Sequence, residues 1–401
     1  ARAELAELDG RIGAERLLGV QVGTALRLSD RTTAEVAEVL TGERLLRHPM
    51  RLAADDLARR LAADWQLADR LPELDEATLA AAHALVAGSE LAPLGLVVRA
   101  AHHLAELERR VPSSSCRDLV EGVYPSYWAP VPLLLSRAEL ASVGPSLLSP
   151  GALESVRRAA ARTLRAADAA FCSYGDGAFP GCLRIWEVGR AVVAPLLQVH
   201  ERVAVLLVDA MRADVWARLQ PSLAAALPGR PFRQQWAVVP EPTRTREAMA
   251  ALYLGRPVAA GSGPDSPADL GPPFSHLGFE AAVVVGVDHD GSAPALRDLW
   301  AGEGACARIT VAVATGVDEA LHRSSSDVAT LVDEAATGLE RRVVPTLHAL
   351  PTEVPLVVLA DHGFRESRAW GRGPGGRYAH GGLSLEESVV PVGVFGAADR
   401  G

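Results

Sequence analysis

The sequence predicts an α/β fold in its C-terminal half, a mostly parallel sheet flanked by helices, preceded by an all-α N-terminal domain. Two observations predict this arrangement. Up to about residue 195, apolar residues recur at spacings of three and four, as they do on amphipathic helices. From about residue 200, short β-rich runs alternate with helical segments, which is typical of parallel sheets covered by helices. With 401 residues the chain is long enough for two domains, predicted at 1–195 and 196–401.

Helical spacing in the N-terminal region marks six segments. Ser149 and Pro150 supply an N-cap and a first-turn proline for the last of them, and Pro130 to Pro132 predict a break before it. His102 and His103 are adjacent on a predicted helix and point in different directions, so they make a poor metal chelate. We therefore expect little catalytic chemistry here. The predicted helices are Ala3–Leu18, Thr33–Leu45, Leu52–Leu67, Glu76–Val86, Leu94–Val111 and Leu153–Phe171.

The C-terminal region contains six β-rich runs separated by four helical segments. The predicted strands are Val203–Val208, Phe232–Val239, Ala281–Val287, Ile309–Thr315, Leu356–Ala360 and Val389–Phe395. The predicted helices are Ala213–Leu219, Arg246–Leu254, Pro294–Trp300 and Asp327–Arg342. Asp209 and Asp361 each directly follow a strand. Ligands of open α/β sheets gather beyond the carboxyl ends of the strands, so we expect the functional site there.

Carboxylate and imidazole side chains recur where strands are predicted to end. They include a D-x-x-x-H pair, an Asp-His dipeptide and a histidine ahead of two glycines. The full set is Asp209, Asp318, His322, Asp361, His362 and His380. Three carboxylates and three imidazoles provide two sets of three ligands, which suits two divalent ions. Two ions about 4 Å apart can bind both a nucleophile and the oxygens of a phosphoryl group, so the set predicts a metal-dependent hydrolase.

Each member of this set also has a simpler explanation. Asp209 alone could equally cap the following helix, and acid–His pairs four residues apart are common on solvated helices. His380 could be a turn residue. Asp288-His289-Asp290 imitates the Asp-His dipeptide after another strand, and a polar turn is favoured there. The ordered set favours metal binding more strongly than any single member does.

A nucleophile is expected in the run Pro242-Thr-Arg-Thr245-Arg-Glu, which follows a strand and opens a helix. A threonine oxygen at this place lies beside the free N–H groups of a helix start, which also suit a phosphate. Metal coordination would lower the pKa of the hydroxyl and make an alkoxide available. Thr245 is favoured over Thr243 as the nucleophile.

Charge and cysteine content limit the function classes. The net charge of −9 argues against a broad electrostatic grip on duplex nucleic acid, although local Arg residues and metal could hold a short oligonucleotide. The four cysteines lack metal-type spacing, which favours reduced thiols in a cytoplasmic protein. We find no signal peptide, and every apolar run is well short of the about 20 residues that span a membrane. Because the first residue is Ala1, we expect an N-terminus that is processed or trimmed from a longer chain.

The order of these motifs resembles the alkaline phosphatase superfamily. The resemblance is closest to the nucleotide pyrophosphatase/phosphodiesterase type of site, whose nucleophile is a threonine. Within the superfamily, three segments look like a PglZ domain, which occurs in bacterial phage-exclusion (BREX) systems: Val208–Asp214, Ala360–Arg365 and His380–Glu387. The resemblance covers roughly residues 200–398 and implies an alkaline-phosphatase-like core.

The resemblance implies a role for each site residue. One ion, zinc by preference and otherwise manganese or magnesium, would be held by Asp318, His322 and His380. The second ion would be held by Asp209, Asp361 and His362. Thr245 would attack phosphorus to give a phosphothreonine, which water would then release.

The resemblance also implies a biological setting. The expected activity is phosphodiester cleavage on nucleotides, oligonucleotides or nucleic acid in anti-phage defence, with other defence-system proteins docking on the helical region. A phosphomonoesterase or sulfatase of the same superfamily is one alternative. A scaffold subunit of the defence complex with a vestigial site is another.

One departure from the pattern concerns the substrate contacts. The phosphodiesterase branch uses an Asn after the nucleophilic Thr, and this sequence contains no Asn. Arg246, Arg244, Arg365 or a backbone N–H would have to substitute for it. Arg212 is expected to pair with a nearby acid or to contact substrate. Glu386–Glu387 are expected to fix the His380 loop or the start of a helix.

Overall fold

The computed structural model describes residues 44–70, 92–143, 146–175, 179–262, 271–302, 307–324, 326–366 and 378–397. Two compact units are distinguished by their contacts. The described residues of unit 1 fall within 1–112 and 130–167, and those of unit 2 within 113–129 and 168–401. The boundary at 195/196 was drawn where the helical pattern gives way to strands, and it stays a prediction.

Unit 1 is built from helices. They are α1 (Arg44–Ala63), a 3-10 helix (Trp65–Arg70), α2 (Ala92–Arg110), α3 (Pro130–Ala141) and the first part of α4 (Pro150–Cys172). Helix α2 buries Leu94, Val97, Val98 and Leu104, which the three- and four-residue spacing places on one face. Removing this apolar stripe from water is what stabilises the helix, because isolated helices of this length are marginal.

Three of the six predicted N-terminal helices can be compared with the structure. The segments predicted from residues 52, 94 and 153 correspond to α1, α2 and α4. The segments at 3–18 and 76–86, and nearly all of 33–45, lie outside the described residues. The break predicted at Pro130 falls at Ala129, and Pro130 and Pro132 occupy the first turn of α3, where a missing N–H costs no helical hydrogen bond.

Unit 2 contains a seven-stranded sheet and a small hairpin. The strands are β1 (Leu183–Arg184), β2 (Val203–Val208), β3 (Phe232–Val238), β4 (Ala281–Val285), β5 (Ile309–Ala314), β6 (Leu356–Ala360), β7 (Arg365–Glu366), β8 (Tyr378–Ala379) and β9 (Val389–Phe395). The sheet order is β1-β3-β9-β6-β2-β5-β4, and β7 pairs with β8 in a separate hairpin. Strand β9 is antiparallel to both of its neighbours, whereas the other pairs in the sheet are parallel.

The helices of unit 2 alternate with these strands. They include α5 (Ala194–Val199), α6 (Ala213–Ala226), α7 (Thr245–Leu254), α8 (Ala293–Ala301), α9 (Gly316–Arg323), α10 (Val328–Arg342) and α11 (Leu385–Ser388). A π-helix at Leu119–Trp128 also belongs to this unit. Helix α6 continues past Pro221 to Ala226, because Leu219 and Leu223 are both buried and their packing outweighs the hydrogen bond that proline removes.

The predicted fold class is confirmed: a mostly parallel sheet flanked by helices, with a helical N-terminal region. All six predicted strands are present, and β2, β5, β6 and β9 are buried along their whole length. Continuous apolar runs of this kind are typical of strands covered on both faces, which here include the antiparallel β9 as well as the parallel β2, β5 and β6. Strand β1 and the β7–β8 hairpin were not predicted, because two-residue strands carry no periodic signal. No described helix combines the length and apolarity that crossing a bilayer requires.

The sheet order determines where the candidate site forms. Strands β2 and β6 are parallel neighbours with Val208 opposite Ala360, so Asp209 and Asp361 leave the sheet side by side. Strand β5 lies on the other side of β2, with Ala314 opposite Val208, and α9 starts two residues later. Three segments that carry predicted ligands therefore meet beyond the carboxyl ends of adjacent strands, as expected for an open α/β sheet.

Candidate functional site

One cluster forms around His362, where the segments after β2 and β6 meet the first turn of α7. The His362 Nε2 atom lies 3.4 Å from Asp209 Oδ1 and 3.6 Å from Asp361 Oδ2. The Thr245 hydroxyl lies 2.9 Å from His362 Nε2 and 3.4 Å from Asp209 Oδ1. The Nδ1–H of His362 donates to the Gly363 carbonyl at 2.8 Å, which directs Nε2 to the cluster.

A second cluster forms between α9 and the loop after β8. Asp318 Oδ1 lies 3.4 Å from His322 Nε2 and 3.5 Å from His380 Nε2, and the two imidazole nitrogens are 3.4 Å apart. The pair on α9 is spaced i,i+4, so both side chains lie on one face of the helix. His322 is the most exposed member, with 59% of its side chain accessible.

The two clusters adjoin through their histidines. The His362 and His380 rings stack with centroids 4.4 Å apart. Asp318, His362 and His380 also offer ligand atoms within 4.8 Å of one another, as do Asp209, Asp361 and His362. All six residues predicted as ligands therefore come together, and His362 belongs to both groups of three.

The charges of this site fit bound cations. Asp361 is fully buried, and among the described residues neither its Oδ2 nor Oδ1 of Asp318 has a hydrogen-bond partner. Burial and the negative charge of Asp209 raise the pKa of Asp361 to about 8, and the same two causes raise the pKa of Asp318. Buried carboxylates normally need a counter-charge. Divalent ions bound by carboxylate oxygen and imidazole nitrogen would supply it, so the donor set fits the predicted metals.

The pKa values of His362 and His380 shift in opposite directions. Burial lowers the pKa of His362, but the charge of Asp361 and the bond to Asp209 outweigh burial and raise it to about 10. Burial and the neighbouring imidazoles lower the pKa of His380 to about 4. His380 is therefore neutral at physiological pH, as a metal-ligating imidazole must be. A metal ion would replace the proton that His362 otherwise carries.

The two candidate nucleophiles lie in different environments. Thr245 is the first residue of α7, and its hydroxyl faces the cluster around His362. Thr243 is completely buried, and its hydroxyl is used in hydrogen bonds to Gly381 and Gly382. Only the Thr245 oxygen is thus placed beside the ligand atoms.

Arg212 lies in the interior, in a buried charge cluster. Its guanidinium forms two hydrogen bonds with Asp214 and lies 3.3 Å from a Glu386 oxygen. It also stacks 4.3 Å above the Phe364 ring. Burial raises the pKa of Glu386 to about 8 even though Arg212 opposes this shift. Because the guanidinium is 3% exposed and fully engaged, we do not include Arg212 among the proposed substrate contacts.

Replacing Arg212 with methionine is expected to lower the free energy of unfolding by about 3–5 kcal/mol, because it leaves a buried Asp214 carboxylate without its partner. Urea unfolding measures the loss. Arg218→Met on the same helix is the matched control, since Arg218 is 45% exposed and pairs with Glu340 at the surface. That control should change stability by less than about 1 kcal/mol. Equal losses of unfolding free energy in the two variants would show that the buried cluster around Arg212 contributes no more to stability than a surface ion pair.

Three other arginines lie at the edge of the site. Arg246 is exposed at the second position of α7, directly after Thr245. The Arg365 Nε lies 3.3 Å from Glu387 Oε2, and this side chain is 45% exposed. Arg244 lies against Gly381, where an added Cβ would come within 3.2 Å of its Cγ and Nε. Gly381 has a φ of 107°, so this close approach coincides with a backbone conformation that only glycine adopts readily.

Asp288 and Glu387 stood out in the sequence, but only the structure shows which groups they contact. Asp288 is buried, and its carboxylate accepts hydrogen bonds from the backbone N–H of Thr315 (3.0 Å) and Gly316 (2.8 Å). It thereby holds the start of α9, the helix that carries Asp318. Glu387 is completely buried and accepts hydrogen bonds from Gly382 N and the Ser384 hydroxyl, which fixes the loop after His380 as the sequence suggested.

One family of known proteins matches a part of the chain that contributes to this site. Residues 188–266 match the family model of the BREX system PglZ alkaline phosphatase-like domain. The matched segment contains β2, Asp209 and Thr245. The predicted resemblance to a PglZ domain is confirmed over these residues, and the match supports a protein of the phosphoesterase-type superfamily.

Among solved structures, the chain is similar to the integral membrane protein lipooligosaccharide phosphoethanolamine transferase A (EptA) from Neisseria meningitidis. The identity is 12%, with 92% of this chain and 86% of that chain covered, and the TM-score is 0.31. No curated protein matches the chain.

Proposed function

We propose that this protein is a metal-dependent phosphodiesterase that acts on nucleotides, oligonucleotides or nucleic acid in bacterial anti-phage (BREX) defence. The observation that carries the proposal is the position of the Thr245 hydroxyl, 2.9 Å from His362 Nε2 and 3.4 Å from Asp209 Oδ1. A nucleophile within reach of two ligand atoms is the arrangement that nucleophilic phosphoryl transfer requires. The match to an alkaline phosphatase-like domain supports the same chemistry.

In this proposal the six clustered side chains hold two divalent ions, zinc by preference and otherwise manganese or magnesium. Asp209, Asp361 and His362 hold the ion nearer Thr245. Asp318, His322 and His380 hold the other. When bound, the ions lower the pKa of the nucleophile and offset the negative charge that collects on the phosphoryl oxygens.

The covalent step belongs to Thr245. The hydroxyl gives up its proton and its oxygen forms a bond to phosphorus, while the bond between phosphorus and one ester oxygen breaks and that oxygen takes up a proton and leaves as an alcohol. The product is a phosphothreonine at the start of α7 that still carries the second ester group of the diester. Water then attacks the same phosphorus, the P–O bond to Thr245 breaks, and the hydroxyl is restored. The start of a helix directs backbone N–H groups and the positive end of its dipole at an anion, so the start of this ten-residue helix suits the phosphoryl oxygens.

Arginines take the place of the missing Asn in this proposal. Arg246 follows Thr245 directly, Arg244 precedes it, and Arg365 lies beside Gly382, where an added Cβ would be 3.3 Å from its Nη2. A guanidinium offers several N–H donors in one plane and matches phosphate geometry. We propose that these side chains bind the anionic substrate.

The setting of the activity is proposed on the same basis. The helical N-terminal region would be a docking surface for other defence-system proteins, and the protein would act in the cytoplasm. Neither proposal is needed for the chemistry of the site.

A panel of chromogenic substrates tests the proposed activity on the full chain, with zinc or manganese added. We expect phosphodiesters to be cleaved faster than phosphomonoesters, with little turnover of sulfate esters. Faster cleavage of monoesters would assign a phosphomonoesterase, and faster cleavage of sulfate esters a sulfatase. Metal binding without turnover of any substrate would favour a scaffold subunit with a vestigial site.

A further inference from the structure

Thr243 connects the segment that carries the nucleophile to the loop that carries His380. It is completely buried. Its hydroxyl donates to the Gly382 carbonyl at 2.8 Å and accepts from the Gly381 N–H at 3.1 Å. Its own carbonyl accepts from Nδ1 of His380 at 3.3 Å. One residue thus forms three hydrogen bonds to three consecutive residues of the ligand loop.

The third of these bonds fixes the chemical state of His380. A carbonyl oxygen can only accept, so Nδ1 must carry the proton in this pair. In the neutral imidazole the lone pair is then on Nε2. That atom faces Asp318 Oδ1 at 3.5 Å and His322 Nε2 at 3.4 Å, so the tautomer selected is the one that can bind a metal between them.

The two bonds of the hydroxyl fix the backbone next to His380. Gly381 has a φ of 107°, and glycines are conformationally permissive, so the Gly381–Gly382 pair needs external bonds to stay in one conformation. The Thr243 hydroxyl satisfies Gly381 N–H and Gly382 C=O, while Glu387 accepts from Gly382 N–H at 3.0 Å. Two buried side chains therefore hold the loop from different elements.

We propose that Thr243 is a positioning residue, which orients the His380 imidazole for metal binding and keeps this ligand in a fixed place relative to Thr245, two residues along the chain. The inference rests on the proposed function and adds to it a link between nucleophile and metal ligand. Partners that orient metal-ligating histidines affect metal affinity about 10–100-fold in other proteins.

The test is zinc binding by Thr243→Val, which keeps the shape of the side chain and the backbone carbonyl beside His380 Nδ1 but removes the hydroxyl that holds the Gly381–Gly382 backbone. Competition with a chromophoric chelator measures the affinity of the full chain for each zinc equivalent. We expect one equivalent to bind about 10–100-fold more weakly, and the other to be little changed. Thr243→Ser keeps the hydroxyl and is expected to restore most of the lost affinity.

Thr346→Val is the matched control for loss of a buried hydroxyl. Thr346 is 1% exposed, donates to the Val343 carbonyl and accepts from Trp300 Nε1, and it lies outside the site. This variant should bind both zinc equivalents as the wild type does, even where its thermal unfolding temperature falls. If the methyl group that replaces the hydroxyl in Thr243→Val prevents folding, Thr243→Ala removes the hydroxyl without placing any group against Gly381 and Gly382.

The outcomes separate the inference from the proposed function. A folded Thr243→Val or Thr243→Ala that binds both equivalents as tightly as the wild type overturns the inference alone. Equal weakening in Thr346→Val also overturns it, because the effect would then be general. A wild-type chain that binds neither zinc nor manganese overturns the proposed function together with the inference.

Discussion

Thr245→Ala is expected to lower the rate of phosphodiester cleavage by about a thousandfold or more, since loss of a nucleophile removes the covalent route rather than weakening it. The deleted oxygen lies 2.9 Å from His362 Nε2 and 3.4 Å from Asp209 Oδ1. The ligand atoms themselves are untouched, so bound zinc should stay close to the wild-type amount. Steady-state cleavage of the best chromogenic diester, together with metal analysis of the same sample, measures both quantities.

Thr245→Ser is the matched variant, because it keeps the hydroxyl at the start of α7. It should retain far more activity than Thr245→Ala, and acid quenching during turnover should leave a covalent adduct at position 245, a phosphoserine that carries the remaining ester group of the diester, detectable by mass spectrometry. Thr243→Ser changes the neighbouring threonine and should leave the phosphorylated residue at position 245. Wild-type activity in Thr245→Ala would remove the covalent mechanism.

Asp361→Asn is expected to abolish the high-affinity binding of one metal ion and to reduce turnover to the level of the metal-free protein. Asp361 is completely buried between Asp209 and His362, and its Oδ1 already accepts from the backbone N–H of Ala210 (3.1 Å) and His362 (2.9 Å). An amide oxygen can keep those two bonds. What the variant loses is the negative charge and the second, unpartnered oxygen that a cation would need.

Without metal, Asp361→Asn should not lower the unfolding temperature of the protein. Burial raises the pKa of Asp361 to about 8, which means that its charged form is disfavoured in the fold without a cation. Metal-free Asp361→Asn should therefore unfold at a temperature equal to or above that of the metal-free wild type. Added zinc should raise the unfolding temperature of the wild type much more than that of the variant, because a ligand stabilises only the protein that binds it.

Asp290→Asn is the control for charge removal near a strand end. Asp290 is 91% exposed and pairs with Arg342 at the surface. We expect it to change neither zinc binding nor the unfolding temperature appreciably. Undiminished zinc binding by Asp361→Asn would exclude Asp361 from the ligand set.

The helices and strands followed from local patterns in the sequence. Strands β2 and β6 are continuous runs of Val, Leu and Ala, and a parallel strand buried on both faces requires such an apolar run. For that reason the predicted and observed bounds of β2 and β6 coincide. The two-residue strands β1, β7 and β8 offered no pattern, because two residues are too few to show a periodicity.

The ligand set could be predicted for a related reason. Asp209 and Asp361 stand immediately after buried strands, and the parallel arrangement brings such positions to one edge of the sheet. The i,i+4 spacing of Asp318 and His322 fixes their common face once α9 forms. The order of motifs then supplied His380, although nothing in its local sequence says which ligands it faces.

The sequence by itself determined the fold class, the strands that are followed by acidic residues and the identity of the clustered side chains, because hydrophobic periodicity is local and the order of motifs can be read along the chain. The tertiary structure alone decided that the Thr245 hydroxyl faces the cluster while that of Thr243 binds the Gly381–Gly382 loop. It also decided that Arg212 is buried against Asp214 and that Asp288 holds the start of α9. Most of these contacts join residues that are 28 to 139 positions apart. Packing brings such distant partners together, and no local pattern encodes which pairs will meet.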